Sequence, residues 1–210
     1  MRKLLLLILL VLGGAAVAGV LASGSEKAAP ATPSSSDRLA SAVFAGGCFW
    51  CTESDFDHIE GVVSTTSGYT GGKTKNPTYE QVSAGGTGHI ESVRVVYDPA
   101  KVDYSSLVAH FFQDIDPLDA GGQFCDRGAQ YRSAIFVANE EQRRIAEATS
   151  KAVSRRLDAK VATLILPATS FYPAEDYHQN YYKKNPIRYR FYRTTCGRDA
   201  RIKEVWSRNG

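Results

Sequence analysis

The sequence predicts an α+β fold. It reads as a split-βαβ (ferredoxin-like) two-layer sandwich with an extra helix, an extra strand and a long irregular C-terminal segment. Three observations predict it. Between Ala42 and Val137, short apolar or alternating runs and helical runs follow one another in the order βαββαβ. A long charged amphipathic stretch, Glu140–Asp158, and one more apolar run, Val161–Leu166, extend that order. From Pro167 onward the pattern loses its periodicity and becomes rich in tyrosine. One-sided strands and helices must bury their apolar faces against each other, so the helices are expected on one sheet.

Each element has its own signal. Ala42–Ala45 is a short apolar strand that stops at Gly46-Gly47. Phe49–Ile59 is a helix with Phe49, Phe56 and Ile59 on or near one face. Gly61–Gly68 alternates as a second strand. Gly68 to Gly88 reads as a long loop, punctuated by Gly71-Gly72, Asn76-Pro77 and Gly85-Gly86; loops of that length inside a domain are often functional. Glu91–Tyr97 is a third strand, closed by Asp98-Pro99. Tyr104–Gln113 is a helix with Asp103 or Ser105 near its N-cap. Asp116–Arg132 is a glycine-rich loop and Ser133–Val137 a strand.

The chain of 210 residues is long enough for one domain with a substantial core. Its 43% hydrophobic and 22% charged residues are an ordinary globular balance. A net charge of +3, with basic residues gathered only between Lys183 and Arg208, fits a solvated surface and not a nucleic-acid-binding module. Arg2 and Lys3 precede Leu4–Ala22, nineteen residues without a charge, which reads as a signal peptide or N-terminal membrane anchor over residues 1–22. Residues 23–37, rich in Ser, Ala and Pro, read as a linker, and 38–210 as the folded domain. The expected location is therefore outside the cytoplasm, periplasmic or held to the inner membrane facing outward. Met1 is the one methionine, so the domain has none of its own to oxidise.

Four cysteines, Cys48, Cys51, Cys125 and Cys196, are too few for a disulfide scaffold, yet many for an exported chain with no redox purpose. Cys48 sits in Gly46-Gly47-Cys48-Phe49-Trp50-Cys51-Thr52-Glu53, between the first strand and the first helix. A cysteine there faces unpaired helix N–H groups and the positive end of the macrodipole. Both lower a thiol pKa and favour the nucleophilic thiolate. The plainer alternative is a small buried hydrophobe. Cys48 and Cys51 also form a C-x-x-C, which admits a thiol–disulfide oxidoreductase. No metal site is expected, because neither a second C-x-x-C nor a histidine pair at ligand spacing is present.

Several motifs in order then resemble peptide methionine sulfoxide reductase A. They are Gly47-Cys48-Phe49-Trp50 with Glu53, Gly68-Tyr69-Thr70-Gly71-Gly72, Asn76-Pro77-Thr78-Tyr79, Gly88-His89-Ile90-Glu91 and Tyr97-Asp98-Pro99, followed by Asp126-Arg127-Gly128-Ala129-Gln130-Tyr131-Arg132-Ser133 and Ala174-Glu175-Asp176-Tyr177-His178-Gln179. The resemblance runs from about Ala42 to at least Asn185 and implies reduction of the S epimer of methionine sulfoxide, free or in proteins. It makes Cys48 the nucleophile, Glu91 the acid at the sulfoxide oxygen, Tyr79 and Tyr131 hydroxyl donors to it, and Asp126 a positioning group. Phe49 and Trp50 become walls for the substrate methyl group. It implies no bound cofactor and an external dithiol reductant such as a thioredoxin-like protein. Cys196 is the first candidate for the thiol that resolves the sulfenic acid on Cys48, with Cys125 and Cys51 as competitors. Glu53 is expected to support the helix start, and His178 to be structural or to line the pocket. A monomer is expected, with the membrane as partner only if the leader stays uncleaved. The remaining alternative is a non-catalytic module that binds oxidised peptides.

Overall fold

A computed structural model describes residues 39–207. The leader, the linker and the first residue assigned to the domain lie outside the described residues. Among the described residues no helix is long and apolar enough to cross a membrane.

The sheet has six strands: β1 Ala40–Ala45, β2 Val62–Thr70, β3 Ile90–Tyr97, β6 Ala134–Val137, β7 Leu164–Pro167 and β8 Tyr172–Pro173. Their spatial order is β7-β6-β1-β3-β2-β8. The central four, β6-β1-β3-β2, are antiparallel and form the expected split-βαβ core. β7 adds to β6 in parallel, which requires a crossover, and α4 Glu140–Leu157 supplies it.

Three helices cover one face. α1 Phe49–Asp57, α3 Tyr104–Gln113 and α4 pack Phe56, Leu107, Phe111 and Val153 against Phe44, Val93 and Val95. Phe44 lies between Phe56 and Phe111, with ring centroids at 4.7 and 5.2 Å. Each such fully buried phenylalanine contributes up to about 3 kcal/mol through burial. A smaller cluster of Ala45, Ile90, Ala134 and Phe136 sits apart from this core. The caps follow expectation: Asp103 accepts from Ser106 N at 2.7 Å and starts α3.

Three stretches read as loop or irregular differ. The Gly68–Gly88 segment holds α2 Tyr79–Ser83, started by a capping box in which Thr78 and Gln81 exchange hydrogen bonds. The 116–132 loop contains a hairpin, β4 Gly122–Gln123 with β5 Asp126–Arg127, and a 3-10 turn at Ala129–Tyr131. The C-terminal segment adds the edge strand β8 and is otherwise irregular only as far as residue 180. It then forms α5 Tyr181–Lys184, α6 Pro186–Thr195 and α7 Arg198–Ser207. Aliphatic periodicity could not reveal α6, because its inward face is made of Tyr189, Tyr192 and Arg193 while Ile187 and Phe191 point outward.

Candidate active site

The site forms where α1 leaves the sheet. Gly47 has φ +85, and a Cβ there would sit 2.6 Å from the Cβ of the buried Gln123, so only glycine allows this turn to press against β4. Cys48 follows as the N-cap of α1 and is 8% exposed. It lies in a cavity of about 180 Å³ lined by Cys48, Phe49, Trp50, Tyr79, Glu91, Asp126, Tyr131 and Tyr192. All seven predicted groups, from five separate stretches of chain, meet there. A larger open cleft of about 600 Å³ beside α1 and α3, with His58, His110 and Asp114 in its lining, contains none of them.

The expected depression of the Cys48 pKa is not what the geometry provides. The backbone N–H of Phe49, the first in α1, donates to Glu91 Oε2 at 3.1 Å, so the helix end serves the carboxyl group. Burial, followed by a hydrogen bond with Cys51 and the charges of Glu91 and Asp126, raises the Cys48 thiol well above its ordinary value. Cys51, one turn on, is lowered by that same hydrogen bond and by the guanidinium groups of Arg198 and Arg193. The first-turn dipole is overridden by desolvation and by like charge.

Glu91 lies on β3, paired with Tyr69 of β2 and sharing the helix-covered face with Val93 and Val95. It is 2% exposed, and burial raises its carboxyl to about 8 despite the Phe49 N–H. It is therefore protonated at neutral pH and able to donate. Tyr79 is raised to about 12 by burial and by Glu91, and Tyr131 is raised for the same reasons, so both phenols stay protonated. Tyr79 opens α2, and its backbone N–H donates to Glu175 Oε1 at 2.9 Å. Asp126, beside the hairpin tip, is raised by burial and accepts a hydrogen bond from the Tyr192 hydroxyl. Sequence reasoning missed Tyr192, which sits on a helix the pattern did not reveal.

The apolar wall rests on a second aromatic layer. Trp50 stacks on Tyr181 with centroids 3.7 Å apart, and its Nε1–H donates to Nδ1 of His178 at 2.9 Å. His178 is 2% exposed and packs against Phe49 and Tyr79 at 4.9 and 4.4 Å. Glu53 is fully buried and accepts from Asn180 N at 2.8 Å, so it ties α1 to this segment. Burial lowers the His178 pKa, with Glu175 and Glu80 opposing, so the ring is neutral with Nδ1 free to accept. Protonation would place two N–H groups face to face. We expect KM to rise about five-fold as His178 titrates at a pH below the ordinary imidazole value, the scale of one neutral hydrogen bond, with kcat little changed. His178→Asn, which keeps an acceptor oxygen, should remove the acid limb, whereas a limb that persists would place the titration elsewhere. Steady-state kinetics against pH reads both.

Cys125 and Cys196 are joined in a disulfide with Cα atoms 5.0 Å apart, while Cys48 and Cys51 are free thiols. Cys196, the first candidate for the resolving role, is thus bonded to one of its two competitors, Cys125, while the other, Cys51, is free. Cys125 is exposed at the hairpin tip, and Cys196 caps α6 with its sulfur 4.0 Å from Asp126 Oδ2. Arg198, fully buried, donates to the carbonyls of Gly46 and Asp114 at 3.0 and 2.7 Å and to Asp55 at 3.1 Å. It fastens the tail to the Cys48 turn.

The chain is similar to proteins whose names agree with this geometry. It is 51% identical over 207 residues to peptide methionine sulfoxide reductase MsrA 2 of Caulobacter vibrioides, covering 98% of this chain and 99% of that one. It is 49% identical over 173 residues to the MsrA of Bacillus subtilis, covering 81% and 98%. Among solved structures it resembles methionine sulfoxide reductase A of Corynebacterium diphtheriae, with a TM-score of 0.64, 37% identity and coverage of 71% and 76%. It also resembles reduced Mxr1 of Saccharomyces cerevisiae, with a TM-score of 0.68, 30% identity and coverage of 71% and 87%. The family model of peptide methionine sulfoxide reductase matches residues 40–210, and the chain belongs to that family.

Proposed function

We propose that this chain reduces the S epimer of methionine sulfoxide, free or in polypeptides, to methionine. One observation carries the reading: a buried thiol, a protonated carboxyl group and two phenols converge on a small cavity walled by Phe49 and Trp50. The substrate methyl group lies against the rings, and its oxygen accepts from Tyr79, Tyr131 and Glu91. Glu91 transfers its proton to that oxygen, which makes the sulfur electrophilic. Cys48 attacks the sulfur and yields its own proton to the Glu91 carboxylate. Oxygen passes to Cys48 as a sulfenic acid and methionine leaves.

Cys196 then attacks the sulfenic acid, expelling water and forming Cys48–Cys196. Cys125 attacks Cys196, which frees Cys48 and leaves the Cys125–Cys196 bond at the surface. An external dithiol of thioredoxin type reduces that bond. Support comes from the observed pairing, the exposure of Cys125, and a solved complex of Mxr1 with Trx2 that shares this fold at a TM-score of 0.51. Arg2-Lys3 before Leu4–Ala22 supports export, and recovery of the chain in the cytosolic fraction would refute it.

Incubation with dithiothreitol and each sulfoxide epimer tests the activity. Conversion of the S epimer alone is expected; insulin disulfide reduction without sulfoxide turnover would favour an oxidoreductase using Cys48–Cys51. For the relay, one equivalent of substrate should convert the reduced wild type to Cys125–Cys196, and trap Cys125→Ser as Cys48–Cys196. Peptide mapping that finds Cys48–Cys51 in both would overturn the order.

A further inference from the structure

α6 is amphipathic in the opposite sense to an ordinary surface helix. Ile187 is 86% exposed and Phe191 70%, more than any other large apolar side chain among the described residues. Four residues apart, they form one stripe about 40° wide at 3.6 residues per turn. Arg190 lies about 60° to one side of the stripe and Arg188 about 60° to the other. Both arginines are exposed and make no ion pair among the described residues. The helix, Pro186–Thr195, contains no acidic residue. Lys183 and Lys184 precede it and are engaged, Lys183 with Asp57 and Lys184 with the Asp176 carbonyl.

An apolar stripe flanked on both sides by unpaired guanidinium groups suits a surface that is apolar in depth and anionic at its rim. The relay and the pocket do not account for it. Cys196 lies about 140° around the helix from Phe191, and Tyr192, which lines the pocket, about 100°. A donor reaching the disulfide or a client reaching Cys48 approaches the other side. We propose that the Ile187–Phe191 face of α6 docks onto an anionic lipid bilayer, with the Arg188 and Arg190 guanidinium groups at the phosphates. Fifteen linker residues, 23–37, reach at most about 50 Å, so a chain held by residues 4–22 keeps the domain near such a surface. The tether then raises the local concentration of the α6 face at that surface.

The test uses the full chain and a local probe, so that the N-terminal segment contributes equally throughout. Phe191→Trp places an indole in the stripe; it is read against the wild-type background of Trp50 and Trp206. With vesicles of brominated phosphatidylcholine plus phosphatidylglycerol, the introduced indole should shift to the blue and be quenched, far more than with phosphatidylcholine alone. Adding Arg188→Gln and Arg190→Gln should weaken that response about five-fold for each arginine removed. Sulfoxide turnover with dithiothreitol should stay at the wild-type level and shows that the variants are folded. Absence of quenching on either vesicle, or equal quenching on both that ignores the arginines, would overturn the proposal. So would an emission change produced only by a thioredoxin-type donor, or only by concentrating the protein, since either would assign the face to that occupant.

Discussion

Cys48→Ser is expected to abolish sulfoxide reduction even with excess dithiothreitol, by at least about 10⁴-fold in single-turnover methionine release, because a hydroxyl is a far weaker nucleophile at neutral pH. No other group replaces it. Cys51 is buried beneath Cys48 and hydrogen-bonded to it, but does not line the cavity. The variant should remain folded, and an unchanged melting temperature separates lost chemistry from lost structure. Methionine release within ten-fold of wild type would remove Cys48 from the reaction and leave the family's fold without its mechanism here.

Glu91→Gln should slow sulfenic acid formation on the order of 10²-fold or more, the usual scale for a missing general acid. The amide keeps the acceptor for Phe49 N–H and cannot release a proton. The pH dependence gives a second readout. Glu91 is raised to about 8, so wild-type activity should fall as pH rises through that value and the proton is lost; the amide should lack this limb. Stability provides a third. A carboxyl whose pKa is higher in the folded state binds more protons there, so the fold is destabilised progressively from about pH 4.5 to about 8. Glu91→Gln should therefore melt higher than wild type at alkaline pH. Unchanged single-turnover rates would show that another group supplies the proton.

What the sequence reveals and hides divides along physical lines. β1, β3, α3 and α4 were legible because their apolar residues repeat at a strand or helix period and turn or capping residues bound them. The pocket was legible because its residues sit in motifs whose order is far more specific than any one of them. The titration of Cys48 was not, since it depends on where Glu91 and Asp126 arrive in space, and spacing along the chain says nothing about burial. α2 has Thr78 and Gln81 as its one sequence signal, because a five-residue helix carries too little periodicity. α6 and with it Tyr192 were hidden by composition: tyrosine and arginine face the interior where a pattern search expects aliphatic side chains.

Arg198 has a consequence for the order in which the molecule becomes competent. Its guanidinium completes the turn at Gly46 and, with Arg193, neutralises Asp55, yet it belongs to α7, 152 residues further along the chain than Gly46. The nucleophile is synthesised early and its setting late. A nascent chain therefore lacks the Arg198 clasp on the Cys48 turn until α7 emerges and docks, whereas Asp55 also meets Arg193 of the preceding helix. Shortening the chain before Arg198, or burdening its end with a fusion that delays docking, would prolong the interval in which Cys48 can pair with a wrong sulfur.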